Sequence, residues 1–210
     1  MSLCAESLRT GDREEPRETA QQSKTAEAFA ISTARLVLRP WARQDLNRLV
    51  KLGNNYAVAK NLSTFPHPYS MRDAEEWFEM QGAQFLYPAK IGGTLAIALD
   101  GEAVGGIGIH PERMDHPELG YWLGEPYWGK GYATEAAAAL IAYAFTEGGL
   151  DAICAGHYWD NHASGRVLTK LGFRYTAEKN RFCKARGHEV RCLDMLLPYE
   201  RWAGKQGAKE

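Results

Sequence analysis

Apolar positions along this chain change period from segment to segment, and the periods predict the elements. Arg35-Leu36-Val37-Leu38-Arg39-Pro40 reads as a strand stopped by proline. Asp45 to Leu52 carries helical spacing and ends at Gly53-Asn54-Asn55. Phe65-Pro66-His67-Pro68-Tyr69 is a proline-fixed aromatic loop, and Ser70 to Asp73 has the form of a capping box. The box predicts a helix with Trp77, Phe78 and Phe85 turned inward. Thr94 to Leu99 and Ala103 to His110 read as strands joined at Asp100-Gly101, a strong hairpin signal. Glu118 to Leu123 is the next strand.

Beyond it the period returns to that of a helix, with Ala133, Ala136, Ala137, Leu140, Ile141, Ala144 and Phe145 on one face and Gly148-Gly149 as the stop. Ala152 to Tyr158 is a further strand, and Asn161 to Leu171 a short helix ending at Gly172. Two strands close the pattern, near Phe173 to Tyr175 with its continuation and at Val190 to Leu197. This order predicts an α/β fold whose central sheet is mixed, partly antiparallel and flanked by helices. Residues 1–30 are polar and charged, with Phe29 their one aromatic. Such a segment buries too little surface to offset its ordering entropy, so it is expected to be a mobile extension. Residues 31–200 form the expected folded domain and 201–210 a polar tail.

Composition narrows the class. A chain of 210 residues, 45% hydrophobic and 11% aromatic, suffices for one domain with a sizeable core. A net charge of −1 gives no global pull toward nucleic acid or a membrane surface. No apolar run approaches the roughly 18 residues of a membrane span, and the N-terminus lacks the pattern of a secretory signal. Cys4, Cys154, Cys183 and Cys192 form no CxxC pair. They read as reduced thiols of a cytoplasmic protein, with a Cys183–Cys192 disulfide as the alternative.

The richest stretch is WLGEPYWGKGYATE, Trp122 to Glu135. Glycines at 129 and 131 let the backbone approach a ligand closely, and the amides that follow sit at a helix start, where the dipole favours an anion. A phosphate or pyrophosphate is the expected guest. Three readings compete: an ordinary glycine turn, a P-loop, and a coenzyme A pyrophosphate loop. The P-loop fits poorly. Gly131 stands where a Ser or Thr hydroxyl should meet Mg²⁺, and Pro126 removes an amide.

ELGYWL, then YWGKGYATEA, then DNHASGRVLTKLGFRY, in that order, resemble the GNAT superfamily of acetyl-CoA-dependent N-acetyltransferases, and most closely its RimJ/RimL branch, which acetylates ribosomal-protein N-termini. LVLRPW and HPYSMRDAEEW are similar to that branch too. The likeness spans about residues 33–198 and implies a GNAT-like acyl-CoA N-acyltransferase fold. It further implies direct transfer of acetyl from the thioester to a primary amine in a ternary complex. The family motif Gln/Arg-x-x-Gly-x-Gly/Ala has Trp128 at its first position here, with Gly131 and Ala133 at the small positions. The resemblance assigns the pyrophosphate to amides from Gly129 through Lys130, Gly131, Tyr132 and Ala133 to Thr134. It assigns the pantetheine arm to Asn161 and to the backbone of Tyr121, Trp122 and Leu123.

Amine attack on a thioester needs a proton acceptor for the amine, a donor for the charge on the carbonyl oxygen, and a proton for the departing sulfur. Glu118 is the candidate base, or the end of a water chain that serves as base; a surface carboxylate is its plain alternative. His110 is the second candidate. The Leu123 amide is the oxyanion donor by resemblance. Ser164 is the candidate proton donor to sulfur, although it and Asn161 could simply cap a helix; Tyr158 and Tyr175 stay open for that role. Lys170 could reach phosphates or face solvent. Glu135 reads as structural, an acid in a first helical turn. Cys154 in an apolar strand makes a poor acyl carrier. His157 and His162 lack further ligands, so no metal is expected.

The acceptor is less legible. Residues 174–191 carry six cations against two acids, a basic wall that would disfavour a polyamine and attract an acceptor bearing carboxylate or phosphate; a solvated hairpin is the alternative. Small amines and protein N-termini both fit. A homodimer is consistent with the sequence. A catalytically inactive coenzyme A-binding module is the competing class.

Overall fold

The computed structural model describes residues 29–82, 93–110 and 116–207. Of the expected extension over residues 1–30, residues 1–28 lie outside the described residues, as do the inward Phe85 and Cys4. Eight strands form one sheet: β1 (Ile31–Ser32), β2 (Val37–Pro40), β3 (Thr94–Leu99), β4 (Glu102–His110), β5 (Glu118–Leu123), β6 (Ala152–Tyr158), β7 (Arg174–Cys183) and β8 (His188–Pro198). Their spatial order is β1-β2-β3-β4-β5-β6-β8-β7. Every neighbouring pair is antiparallel except β5 with β6. The sheet is thus mixed and partly antiparallel, as the element order predicts.

Side chains alternate across it with period two. Leu95, Ile97, Ile107, Ile109, Leu119 and Leu123 face one core, which is closed by α4 (Tyr132–Thr146) and α5 (His162–Leu171). Ala96, Ala103 and Trp122 face a second core under α1 (Leu46–Gly53), α2 (Tyr56–Ala59) and α3 (Met71–Gly82). Turn chemistry sets the joints. Asp100 and Gly101 both have positive φ, 51° and 85°, the backbone a two-residue hairpin needs. Ser70 and Asp73 close the expected capping box, with Ser70 N donating to Asp73 Oδ2 at 2.8 Å and Asp73 N to Ser70 Oγ at 3.3 Å.

Two boundaries differ from the sequence reading. Asp45 belongs to a 3₁₀ turn (Arg43–Asp45) ahead of α1, because its buried carboxylate is held bidentately by Arg39 at 2.6 and 2.9 Å. Most of the expected polar tail, residues 201–210, lies in α6 (Tyr199–Gly207); Trp202 docks on Phe145 with ring centroids 5.2 Å apart. At the other end Phe29 lies edge-on to Tyr143 at 5.3 Å.

The feature that positions the site is a parting of strands. β5 pairs with β6 only at Glu118–Cys154 and Leu119–Ala155, and beyond that each strand follows its other neighbour. β4 holds β5 tightly: a Cβ on Gly105 would stand 2.1 Å from the Trp122 carbonyl oxygen, so only glycine lets the two backbones lie so close.

Candidate active site

The parting opens a cleft of about 1540 Å³, walled by β5 on one side and by β6 and α5 on the other. Carbonyls and amides of alternate residues in a strand point to opposite neighbours. Gly124 N donates to Val104 O on β4 at 2.9 Å, so Gly124 points toward β4 and Leu123 points away from it. Leu123 O accepts from Trp128 Nε1 at 2.7 Å on that far side. The Leu123 and Tyr121 amides therefore face the cleft.

One end of the cleft is the glycine loop. A 3₁₀ turn (Glu125–Tyr127) leads into it, and Gly131 caps α4 with a left-handed φ of 82°. The first bond of the helix is Glu135 N to Gly131 O at 3.0 Å, so the amides before Glu135 have no partner within the helix. Trp128 acts through its indole, which ties the loop to the end of β5. Arg35 braces the loop from outside: Nη1 donates to Lys130 O at 3.1 Å, Nε to Glu135 Oε2 at 2.7 Å, and the guanidinium lies 4.6 Å over the Tyr132 ring. Thr33 Oγ1 also donates to Glu135, at 2.6 Å. Burial pushes the Glu135 carboxyl up, but the hydrogen bonds from Thr33 and Arg35 hold it below the usual carboxylate range. This fits the structural reading of Glu135. Lys130 itself turns toward Tyr127, its Nζ 5.8 Å from the ring centroid.

Across the cleft, Asn161 caps α5 by accepting from Ser164 N at 3.2 Å. Ser164 Oγ meets the Tyr121 hydroxyl at 2.9 Å. Burial raises the Tyr121 phenol to about 12, partly opposed by that hydrogen bond. The two tyrosines nearer in sequence are engaged elsewhere. Tyr158 donates to Phe182 O at 3.2 Å, and Tyr175 meets His157 Nε2 at 3.1 Å. Tyr121 was legible only as backbone in the sequence; its place facing α5 follows from period two along β5, the signal that could have found it.

Glu118 lies where β5 and β6 are still paired, 7% exposed, and lines the cleft. It forms a salt bridge with Arg181 on β7, whose other nitrogen holds Asp194 at 2.8 Å; Lys179 reaches Asp194 at 3.0 Å. Burial alone would lower the Arg181 guanidinium, but Glu118 and Asp194 outweigh it and raise it. Gly156 makes room for this network, since a Cβ there would lie 3.1 Å from Asp194 Oδ1 and 3.2 Å from Arg181 Nη2. His110 pairs with Glu118 across β4 and β5 and also lines the cleft, so both base candidates share one neighbourhood.

The basic wall is not what the hairpin presents. Lys179 and Arg181 are paired with Asp194 and Glu118, Arg186 with Asp160 at 2.9 Å, and Arg191 with Glu178 at 2.6 Å. Counting charge along one segment missed acids that the fold brings from β5, β8 and the turn after β6. Cys154, Cys183 and Cys192 are free and buried. Burial first, and then Glu118, raises the Cys154 thiol to about 12. His157 points at Tyr175, and among the described residues no group of three or more His, Cys, Asp or Glu is placed to hold a metal ion.

Residues 35–174 match the family model for the GNAT acetyltransferase domain. The chain belongs to the GNAT acetyltransferase family. It is 31% identical over 149 residues to the uncharacterized N-acetyltransferase YoaA of Bacillus subtilis (strain 168), covering 69% of this chain and 82% of that protein. Its fold is similar to RimJ of Mycobacterium smegmatis, solved with a coenzyme A disulfide, at a TM-score of 0.73 and 21% identity over 86% of this chain and 94% of that one. It is also similar to RimL, a ribosomal L7/L12 α-N-protein acetyltransferase solved with coenzyme A, at a TM-score of 0.70 and 18% identity, covering 81% and 98% of the two chains. This GNAT acetyltransferase therefore shares its fold with the RimJ and RimL enzymes, as the sequence resemblance implies. No helix among its described residues is long and apolar enough to cross a membrane.

Proposed function

We propose that this acetyltransferase moves an acetyl group from acetyl-CoA directly to a primary amine, on a small molecule or a protein N-terminus, in a ternary complex. The observation that carries the reading is the parting of β5 from β6 directly opposite a helix N-terminus. It leaves strand amides facing a cleft whose far end is a ready anion site. The residues fit the cofactor: Gly131 holds the left-handed turn and the amides from Gly129 to Thr134 suit a pyrophosphate. The exposed edge of Tyr121, Trp122 and Leu123 suits an amide-bearing arm, with Asn161 and Ser164 opposite it. Acetyl-CoA, when bound, supplies the activated thioester.

The chain's own groups divide the remaining work. The Leu123 amide donates to the carbonyl oxygen as charge develops there. Glu118 receives the amine proton, directly or through water, and Arg181 and Asp194 keep its carboxylate in place. Ser164, backed by Tyr121, provides the proton that leaves with sulfur. One carbon–nitrogen bond forms, one carbon–sulfur bond breaks, and one proton passes from amine to base while another passes to sulfur. No protein nucleophile is needed, in keeping with buried, protonated Cys154. Free buried thiols also favour a cytoplasmic home.

Thermal unfolding with acetyl-CoA, coenzyme A or Mg-ATP tests the reading. A ligand at about 100 times its dissociation constant stabilises by roughly 2.7 kcal/mol. Stabilisation by acetyl-CoA and by coenzyme A, without turnover of any amine, would instead favour an inactive binding module. Stabilisation by Mg-ATP alone would favour the P-loop.

A further inference from the structure

The end of the cleft away from the glycine loop is walled by rings. Trp41, Phe65, Tyr69, Trp77 and Trp122 line it. They pack on one another: Trp41 edge-on to Trp77 at 5.4 Å, Trp41 stacked with Trp122 at 6.4 Å, and Phe65 against Tyr69 at 4.8 Å and Trp122 at 5.4 Å. Mutual packing makes this a fixed surface rather than separate side chains. Trp77 and Trp122 are only half-buried, and Met80 beside them is 62% exposed, so part of the apolar surface stays uncovered.

Trp41 Nε1 and the Tyr69 hydroxyl are buried with no hydrogen-bond partner among the described residues, and both rings are themselves buried, so the uncovered ring surface is that of Trp77 and Trp122. Charges at this end are largely engaged. Arg181 is held by Glu118 and Asp194, Asp73 caps α3, and Glu76 accepts from Arg72 at 2.8 Å. Lys184 borders the same opening as Asp73 and Glu76, so the described residues of this rim carry no surplus of cations to draw an anion. Glu118, at the start of β5 on the strand face that also carries Trp122, lines the same cleft, where it can face an amine carried on whatever covers the rings.

We propose that the acceptor is a primary amine on an aromatic body without anionic groups, its ring laid on Trp77 and Trp122 and its amine turned to Glu118. The inference rests on the transferase reading and narrows its substrate. A free arylalkylamine and the first residue of a peptide beginning with Phe share this chemistry.

The test is a set of initial rates at saturating acetyl-CoA. Aryl acceptors are 2-phenylethylamine, tryptamine and a short peptide beginning with Phe; the others are spermidine, glutamate and a peptide beginning with Ser. At least one aryl acceptor is expected to show kcat/KM tenfold or more above every other, and the better of free amine and peptide names the source. Trp77→Ala should raise KM for that acceptor about tenfold and leave KM for acetyl-CoA unchanged, with Trp77→Phe restoring most of it. If Trp77→Ala does not fold, Met80→Gln at its exposed position carries the same expectation at smaller size. Equal or faster turnover of spermidine, glutamate or the Ser peptide overturns the inference. So does an aryl KM that Trp77→Ala or, in its place, Met80→Gln leaves unmoved. Thermal stabilisation by acetyl-CoA with no aryl acceptor acetylated sinks this inference alone; absence of that stabilisation sinks the transferase reading beneath it.

Discussion

The hydroxyls of Tyr121 and Ser164 stand 2.9 Å apart, one on β5 and one in the first turn of α5, facing each other across the cleft. Forty-three positions separate them in sequence. If this pair delivers the proton to sulfur, Ser164→Ala should lower kcat by about 100-fold, within the range of a lost general acid. Tyr121→Phe should lower it by less, about tenfold, because it acts through Ser164. Steady-state kinetics with acetyl-CoA and any accepted amine decide this. A silent Ser164→Ala would move the proton donor elsewhere.

Arg181 is expected to be costly to remove. Arg181→Met leaves Glu118 and Asp194 buried without their shared cation, a loss of about 3 kcal/mol for a broken buried pair. Glu118→Gln should cost less, since Asp194 still holds Arg181, yet it should reduce kcat by about 100-fold. Urea unfolding of the two single variants and the double variant measures the coupling, which should exceed about 1 kcal/mol for residues in direct contact.

Arg35 touches the glycine loop only from behind. Its side chain is 47% exposed, so Arg35→Ala should cost no more than about 1 kcal/mol of stability. The brace on Lys130 O and Tyr132 would be gone, and KM for acetyl-CoA should rise several-fold while KM for the amine stays put. Gly131→Ala should be harsher, because an L-residue at φ 82° costs about 1–2 kcal/mol.

Alkaline stability should reveal the buried acids. Burial raises Cys154 from 9.0 to about 12 and Cys192 from 9.0 to about 11, and Tyr121 from 10.0 to about 12. Above pH 9 the unfolded chain releases these protons before the folded one does. It then binds fewer protons, so stability falls as pH rises through 9 to about 12 and is unaffected by these groups below that window. Urea midpoints from pH 8 to 11 should show the decline, and Cys154→Ala should flatten it. A midpoint that stays level would mean that these groups are open to water.

Much of the frame could be read from the chain alone. β3, β5 and β6 fall where apolar runs place them, and α4 and α5 where apolar spacing meets Gly131, Asn161 and Gly172. Those signals are local: a left-handed turn needs glycine, and a cap needs a side-chain oxygen next to free amides. The glycine loop was legible for the same reason, because its chemistry is backbone chemistry within one short stretch.

What the chain could not declare is which distant groups meet. Arg181 counted as one cation of a basic segment until the fold brought β7 within its side chain's reach of β5 and paired it with Glu118, sixty-three positions away. Tyr121 became a partner of Ser164 only when α5 folded over the sheet, and the rings from Trp41 to Trp122 became one wall only when the helices α1 to α3 closed on it. Charge and burial depend on neighbours in space. The sequence therefore determined the elements, the cofactor loop and the family, and the tertiary structure decided the ion pairing, the hydroxyl pair and the apolar acceptor wall.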